Sequence, residues 1–136
     1  MNSFPLKIVT PDGLLFDGNA EELIVRTTTG DLGVMAGHIN CVAPLGMGRA
    51  MIVSDGKKRF AACIGGMLSV VNGEVTLVPT TFEWSDRIDV SRADASADRA
   101  QKILKDKSAS STELKLAEAR LKRALVRKNV ASFRPM

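Results

Sequence analysis

All eleven glycines of this chain lie between Gly13 and Gly73, and neither glycine nor proline occurs from Thr80 to Arg134. Glycine and proline mark tight turns and are penalised inside helices. The 136 residues therefore divide into a turn-punctuated half and an uninterrupted half rich in alanine, leucine, lysine and arginine. The division predicts an α+β fold, with a β module over residues 1–85 and a helical module over 86–136.

Charge follows the same boundary. Six Lys/Arg oppose eight Asp/Glu through Ser85, whereas thirteen oppose seven from Asp86 onward. A basic segment suits an anionic partner such as phosphate, nucleic acid or an acidic protein surface. A solvated helix laced with i,i+4 ion pairs is the plainer alternative. Cys41 and Cys63 sit in apolar segments without CxxC spacing and read as free thiols in a reducing compartment. No basic-then-apolar leader is visible, and no apolar run approaches the ~20 residues of a membrane span.

Turn signals recur through the first half. Asp55-Gly56 separates Ala50–Val53 from Arg59–Ala62, and Asn72-Gly73 separates Met67–Val71 from Glu74–Val78. Asp-Gly and Asn-Gly between apolar runs are strong hairpin signals. Leu6–Val9, before Pro11-Asp12-Gly13, and Glu22–Thr27 add further strands. Short strands at this spacing predict an antiparallel sandwich or barrel. Pro79 is expected to end the last strand, and Phe82 with Trp84 to plug the seam between the modules.

In the second half, Asp86 or Asp89 can cap a first helix running to about Lys107. Residues 108–112 form the single loop-like cluster, and Ser110 with Glu113 matches a capping box for a second helix reaching about Asn129. So short a connection makes the helices antiparallel neighbours. Ala93, Ala97, Ala100 and Leu104 then face Leu114, Ala117, Leu121 and Ala124 or Leu125. An alanine methyl contributes only about 0.8 kcal/mol on burial. Such a hairpin either detaches at modest cost or stays permanently docked.

Catalytic equipment is scarce. His38 is the only histidine and there is no tyrosine, so no nucleophile–base set is legible. The Gly30–His38 stretch lacks the Lys-Ser/Thr pair of a phosphate loop and reads as a β corner. The helical arginines say more. Arg92 and Arg99 share one face of the first helix, and Arg123 and Arg127 share one face of the second. Folding about 108–112 brings the four together, where guanidinium forks suit phosphate oxygens. Asp89 and Glu83 near the base offer acceptors for an amino group or a sugar hydroxyl. The inventory fits a nucleoside triphosphate. Alternatively each arginine pairs with an acid such as Asp94, Asp98 or Glu118.

In order and motif the chain resembles the epsilon subunit family of the F-type ATP synthase. The resemblance rests on Leu6–Gly13, the Gly30-Asp31-x-Gly33-x-x-x-Gly37-His38 corner, Gly65–Val70, and Ile88-Asp89-Val90-Ser91-Arg92-Ala93. It implies an N-terminal antiparallel β-sandwich followed by a C-terminal antiparallel two-helix hairpin. It further implies a noncatalytic rotor subunit coupling transmembrane ion flow to ATP synthesis on the cytoplasmic face of a bacterial membrane. The sandwich would join the gamma subunit and the c ring, with Asp31 and His38 as c-ring interface candidates. The hairpin would restrain ATP hydrolysis when extended toward the catalytic alpha and beta subunits. Some bacterial members bind ATP in the folded hairpin. The matching positions here are Glu83, Ile88, Asp89, Arg92, Ala93, Arg99, Arg123 and Arg127. ATP is then a regulatory ligand and no cofactor is required; magnesium can accompany it, although no dedicated carboxylate pair is legible. The chain departs from the family at Asn40, where Gly-His-x-Pro is common, and at Ser69, where glutamate is common. The competing reading is a basic nucleic-acid-binding β-barrel with a helical arm, disfavoured because the helices interleave acids with bases and almost lack aromatics.

Overall fold

The computed structural model describes residues 2–133, so Met1 and 134–136, the outer ends of the two expected modules, lie outside the described residues. Eight strands come first: β1 (Phe4–Thr10), β2 (Gly13–Ala20), β3 (Glu22–Thr27), β4 (Gly30–Val34), β5 (Cys41–Pro44), β6 (Met47–Ser54), β7 (Lys57–Val71) and β8 (Glu74–Trp84). A 3-10 turn at Ser85–Arg87 leads into α1 (Val90–Lys105) and α2 (Ser111–Ala131).

The two hairpin turns fold as their sequences dictate. Asp55 and Gly56 take φ of 53° and 72°, and Asn72 and Gly73 take 50° and 83°. Positive φ at both central residues gives a turn whose twist matches the strands it joins.

Strand pairing runs β2-β1-β8-β7-β6-β3-β4, with β5 added alongside β7. Every pair is antiparallel except β1 with β8, where Leu6–Ile8 run parallel to Val75–Leu77. The expected segments Arg59–Ala62 and Met67–Val71 prove to be one strand. Its first half, Lys57–Ile64, pairs with β6, and Met67–Val70 pair with β5. The passage between them is Gly65-Gly66, both at positive φ. A Cβ on Gly66 would stand 2.0 Å from the Val78 carbonyl oxygen, so only glycine lets β7 pass β8 there.

Pro79 does not end the last strand. It pairs with Gly66, and β8 continues to Trp84 beside β7. Phe82 and Trp84 meet edge to face at 4.9 Å, but Phe82 belongs to the core of the sandwich and Trp84 packs against that core.

Alternation places Leu6 and Ile8 of β1, Leu23 and Val25 of β3, and Val75 and Leu77 of β8 inside the sandwich. The Phe60–Ile64 stretch is buried without alternation. Ala61 and Cys63 enter the core, while Phe60, Ala62 and Ile64 lie on the opposite face. That outer face of β6 and β7 carries the helical hairpin, chiefly through α2.

The hairpin follows the expected caps. Asp89 rather than Asp86 caps α1, accepting from the Arg92 N–H at 3.0 Å. Ser110 and Glu113 form the reciprocal box that starts α2. The seam buries Ala93, Ala97 and Ala100 against Ala117 and Ala124, and Val130 is buried near the end of α2. Leu104 and Leu125 are instead exposed, and half-buried Ile103 takes the inward position at the end of α1. The glue is therefore thinner in leucine than the spacing predicts.

Candidate functional site: an arginine-lined cleft between hairpin and sandwich

Because the seam is made of methyl groups, the polar faces of α1 and α2 are left to line a cleft of about 890 Å³ against the sandwich. The volume lies within the range of small-molecule sites. The helical walls supply Arg92, Ala93, Ser96 and Arg99 from α1, and Arg120, Arg123 and Arg127 from α2. Glu83 of β8, Asp89 at the α1 N-cap and Arg87 of the 3-10 turn stand at its base. Thr10, Asp12 and Leu15 line it from the β1–β2 hairpin.

Seven of the eight residues expected at a nucleotide site therefore share one cleft: Glu83, Asp89, Arg92, Ala93, Arg99, Arg123 and Arg127. Ile88 is half-buried in the link between the 3-10 turn and α1 and does not line it. Sequence reasoning passed over Arg87 and Arg120. Arg120 carried a signal, since it lies three residues before Arg123 and seven before Arg127, on the same helix face. Arg87, in a single 3-10 turn, offered none.

The charges in the cleft are unevenly matched. Arg127 Nε donates to Glu83 Oε1 at 2.5 Å, tying α2 to β8. None of Arg87, Arg92, Arg99, Arg120 and Arg123 forms an ion pair among the described residues. Two of the acids that could have neutralised them are committed elsewhere: Asp94 holds Lys128 at 2.8 Å, and Glu118 holds Lys122. Lys128 is thereby held above the usual lysine range by its hydrogen bond to Asp94. The arrangement presents several guanidinium forks to one space, a geometry that suits a multiply charged oxyanion.

Among the described residues no group of three or more His, Cys, Asp or Glu could hold a metal. Glu83 is engaged by Arg127 and Asp89 by the α1 backbone.

Asp31 and His38 lie far along the chain from this cleft, lining a smaller hollow of about 380 Å³ with Thr27, Ile39 and Cys41. Arg26 Nε donates to Asp31 Oδ1 at 2.7 Å across β3 and β4, which raises the Arg26 pKa through that hydrogen bond. His38 Nδ1 lies 2.8 Å from the Ile39 carbonyl oxygen. A carbonyl only accepts, so Nδ1 carries the proton. Ile39 and Val42 are strongly exposed beside them. Asn40 replaces the expected proline with a side-chain clamp: its Oδ1 accepts from the Asn72 N–H at 2.7 Å.

No helix of the described residues is long and apolar enough to cross a membrane. Residues 3–85 match the family described as ATP synthase, Delta/Epsilon chain, beta-sandwich domain, and residues 86–132 match its long alpha-helix domain. The chain is 44% identical over 133 residues to the ATP synthase epsilon chain of Ruminococcus albus, covering 97% of this chain and 98% of that one. It is 39% identical over 131 residues to that of Caldanaerobacter subterraneus subsp. tengcongensis, covering 96% and 94%. The fold is also similar to a chain in the Euglena gracilis mitochondrial ATP synthase, with TM-score 0.83, 21% identity, and coverage of 95% of this chain and 81% of that one. Two family matches that together span residues 3–132, and end-to-end identity near 40%, place the chain in the epsilon-chain family of the ATP synthase, a noncatalytic subunit of that complex.

Proposed function

We propose that the chain is a rotor subunit whose sandwich attaches to the gamma subunit and the c ring, and whose hairpin gates ATP hydrolysis under the control of ATP held in the arginine cleft. Family membership supports the first part, and the nearby fold in a central stalk and c-ring assembly from Tetrahymena thermophila agrees with it (TM-score 0.61, 13% identity, coverage of 94% of this chain and 96% of that one). In this reading the subunit sits peripherally at the cytoplasmic face of a bacterial membrane, with Asp31, His38 and the exposed Ile39 and Val42 facing the c ring. The helices would reach the alpha and beta subunits on extension. Family membership favours this reading over the nucleic-acid-binding alternative.

The observation that carries the gating role is the cleft itself. Its walls come from both helices and from the sandwich, so it exists only while the hairpin is folded and docked. A ligand shifts an equilibrium by its differential affinity for the two states. ATP bound among Arg92, Arg99 and Arg123 would favour the compact form, and its loss would favour release. In this reading ATP is a regulatory ligand of the hairpin rather than a substrate.

The test is titration of the purified full chain with ATP, using fluorophores on α1 and α2. Helix separation should fall as ATP saturates, and Arg92→Ala should shift the midpoint to higher ATP. A separation unmoved at millimolar ATP would remove the gating role while leaving the rotor role, which copurification with the gamma subunit tests separately.

A further inference from the structure

The cleft is polarised along its length, and the geometry points to Arg120 as the residue that reads how many phosphoryl groups the bound nucleotide carries. The inference rests on the nucleotide reading of the cleft and extends it to a residue that reading does not include.

The ion pair between Asp94 and Lys128 fixes the base-end register of the two antiparallel helices. From there the cleft runs toward the connection at 106–110. At the base stand the two carboxylates Glu83 and Asp89, with Arg127 already engaged by Glu83. Toward the connection the helices supply Arg99, Arg123 and Arg120 and no carboxylate; the remaining carboxylate of the lining, Asp12, comes from the β1–β2 turn. The base thus mixes its acceptors with the guanidiniums of Arg87, Arg92 and Arg127. The other end offers guanidiniums that form no ion pair among the described residues.

An asymmetric ligand settles into such a field in one orientation. The nucleoside, with its amino and hydroxyl donors, goes to the carboxylate end. The phosphate chain extends toward the connection. At a rise of about 1.5 Å per residue, Arg120 lies roughly 10 Å beyond Arg127 along α2 and roughly 4–5 Å beyond Arg123. It is the outermost cleft arginine on that helix. A diphosphate would stop among Arg92, Arg99 and Arg123, whereas the terminal group of a triphosphate would reach the Arg120 fork.

Arg120 is exposed and makes no hydrogen bond or ion pair among the described residues, so its removal leaves the fold intact. The experiment is calorimetric titration of the full chain and of Arg120→Ala and Arg120→Lys with ATP and with ADP. Loss of one charge-assisted hydrogen bond should weaken ATP about tenfold or more in Arg120→Ala while leaving ADP within about twofold. The preference for ATP over ADP should collapse, and lysine should restore part of it. Equal weakening of both nucleotides, or an unchanged ratio, overturns the role of Arg120 and leaves the cleft as a nucleotide site. Absence of ATP and ADP binding by the unsubstituted chain overturns the nucleotide reading itself and Arg120 with it.

Discussion

Arg127 and Glu83, 44 residues apart in sequence, join the second helix to the last strand through a single half-buried ion pair, Nε to Oε1. Both residues line the cleft, so the contact that docks the hairpin draws on groups that a ligand would also address. Docking and binding are therefore chemically linked at one point.

Breaking that pair should loosen the hairpin without unfolding the sandwich. A charged hydrogen bond of this exposure contributes about 1–3 kcal/mol. In Glu83→Gln, amide exchange in α2 should accelerate by about tenfold or more, while β1, β6 and β7 keep their protection. Uniform loss of protection across both modules would show that the two act as one cooperative unit instead.

Just beyond Arg127, the C-terminal end of α2 has a second tether. The Phe133 ring lies 5.2 Å from that of Phe60, and the Arg49 guanidinium sits 4.2 Å from the Phe133 centroid. Such aromatic contacts add about 0.5–1.5 kcal/mol beyond area burial. Phe133→Ala should expose α2 to limited proteolysis earlier than α1, and combining it with Glu83→Gln should release the hairpin further than either change alone.

Asn40 should matter more than an exposed corner residue normally does. Its side chain holds the turn at Asn72, where the backbone already sits at φ 50°. Asn40→Ala should cost about 1 kcal/mol and lower the melting temperature by a few degrees. Calorimetry showing no change would mean the corner is held by β5 alone.

The two cysteines should react very differently. Burial pushes the Cys63 thiol up to about 12, whereas Cys41 is only half-buried at the edge of the corner hollow. At neutral pH a thiol reagent should modify Cys41 within minutes and Cys63 only on unfolding. The sign of the linkage also follows. A raised folded pKa favours the protonated native form, so the stability it confers is complete below about pH 8.5 and is lost as pH climbs toward 12. Denaturant midpoints measured at pH 7 and pH 10 should fall at the higher pH, by less in Cys63→Ala relative to its own value at pH 7.

Gly66→Ala should be among the most damaging small substitutions. The added methyl meets the Val78 carbonyl oxygen at 2.0 Å, and φ is 98°. A loss of more than about 3 kcal/mol is expected, seen as insoluble expression or a collapsed urea midpoint.

What could be read from the residues was mostly local. Asn72-Gly73, Ser110 with Glu113, and the Ala93–Ala97–Ala100 stripe each fold through neighbours only a few positions away, so their patterns are written in the sequence. The strands β2, β4 and β5 went unrecognised because their apolar stretches are short, Leu14–Phe16 in β2 and Cys41–Ala43 in β5, and β4 is broken by Gly30 and Gly33. The continuity of β7 through Gly65-Gly66, and of β8 through Pro79, depends on the two strands meeting at that point. No local rule anticipates a proline tolerated by the glycine opposite it. The same limit applied at the cleft. Helix faces could be derived from periodicity, but Arg87 and the Thr10–Asp12 wall arrive there through tertiary packing.

The single span from Lys57 to Val71 has a mechanical consequence. Its outer face near Phe60 seats the hairpin, and its far end meets the turn gripped by Asn40 beside the histidine corner. These two stations are opposite ends of one strut, braced on both sides by ladders of peptide hydrogen bonds and free of any intervening loop. Corner and platform are thus joined through continuous backbone, bent once at Gly65-Gly66, rather than through a relay of side chains.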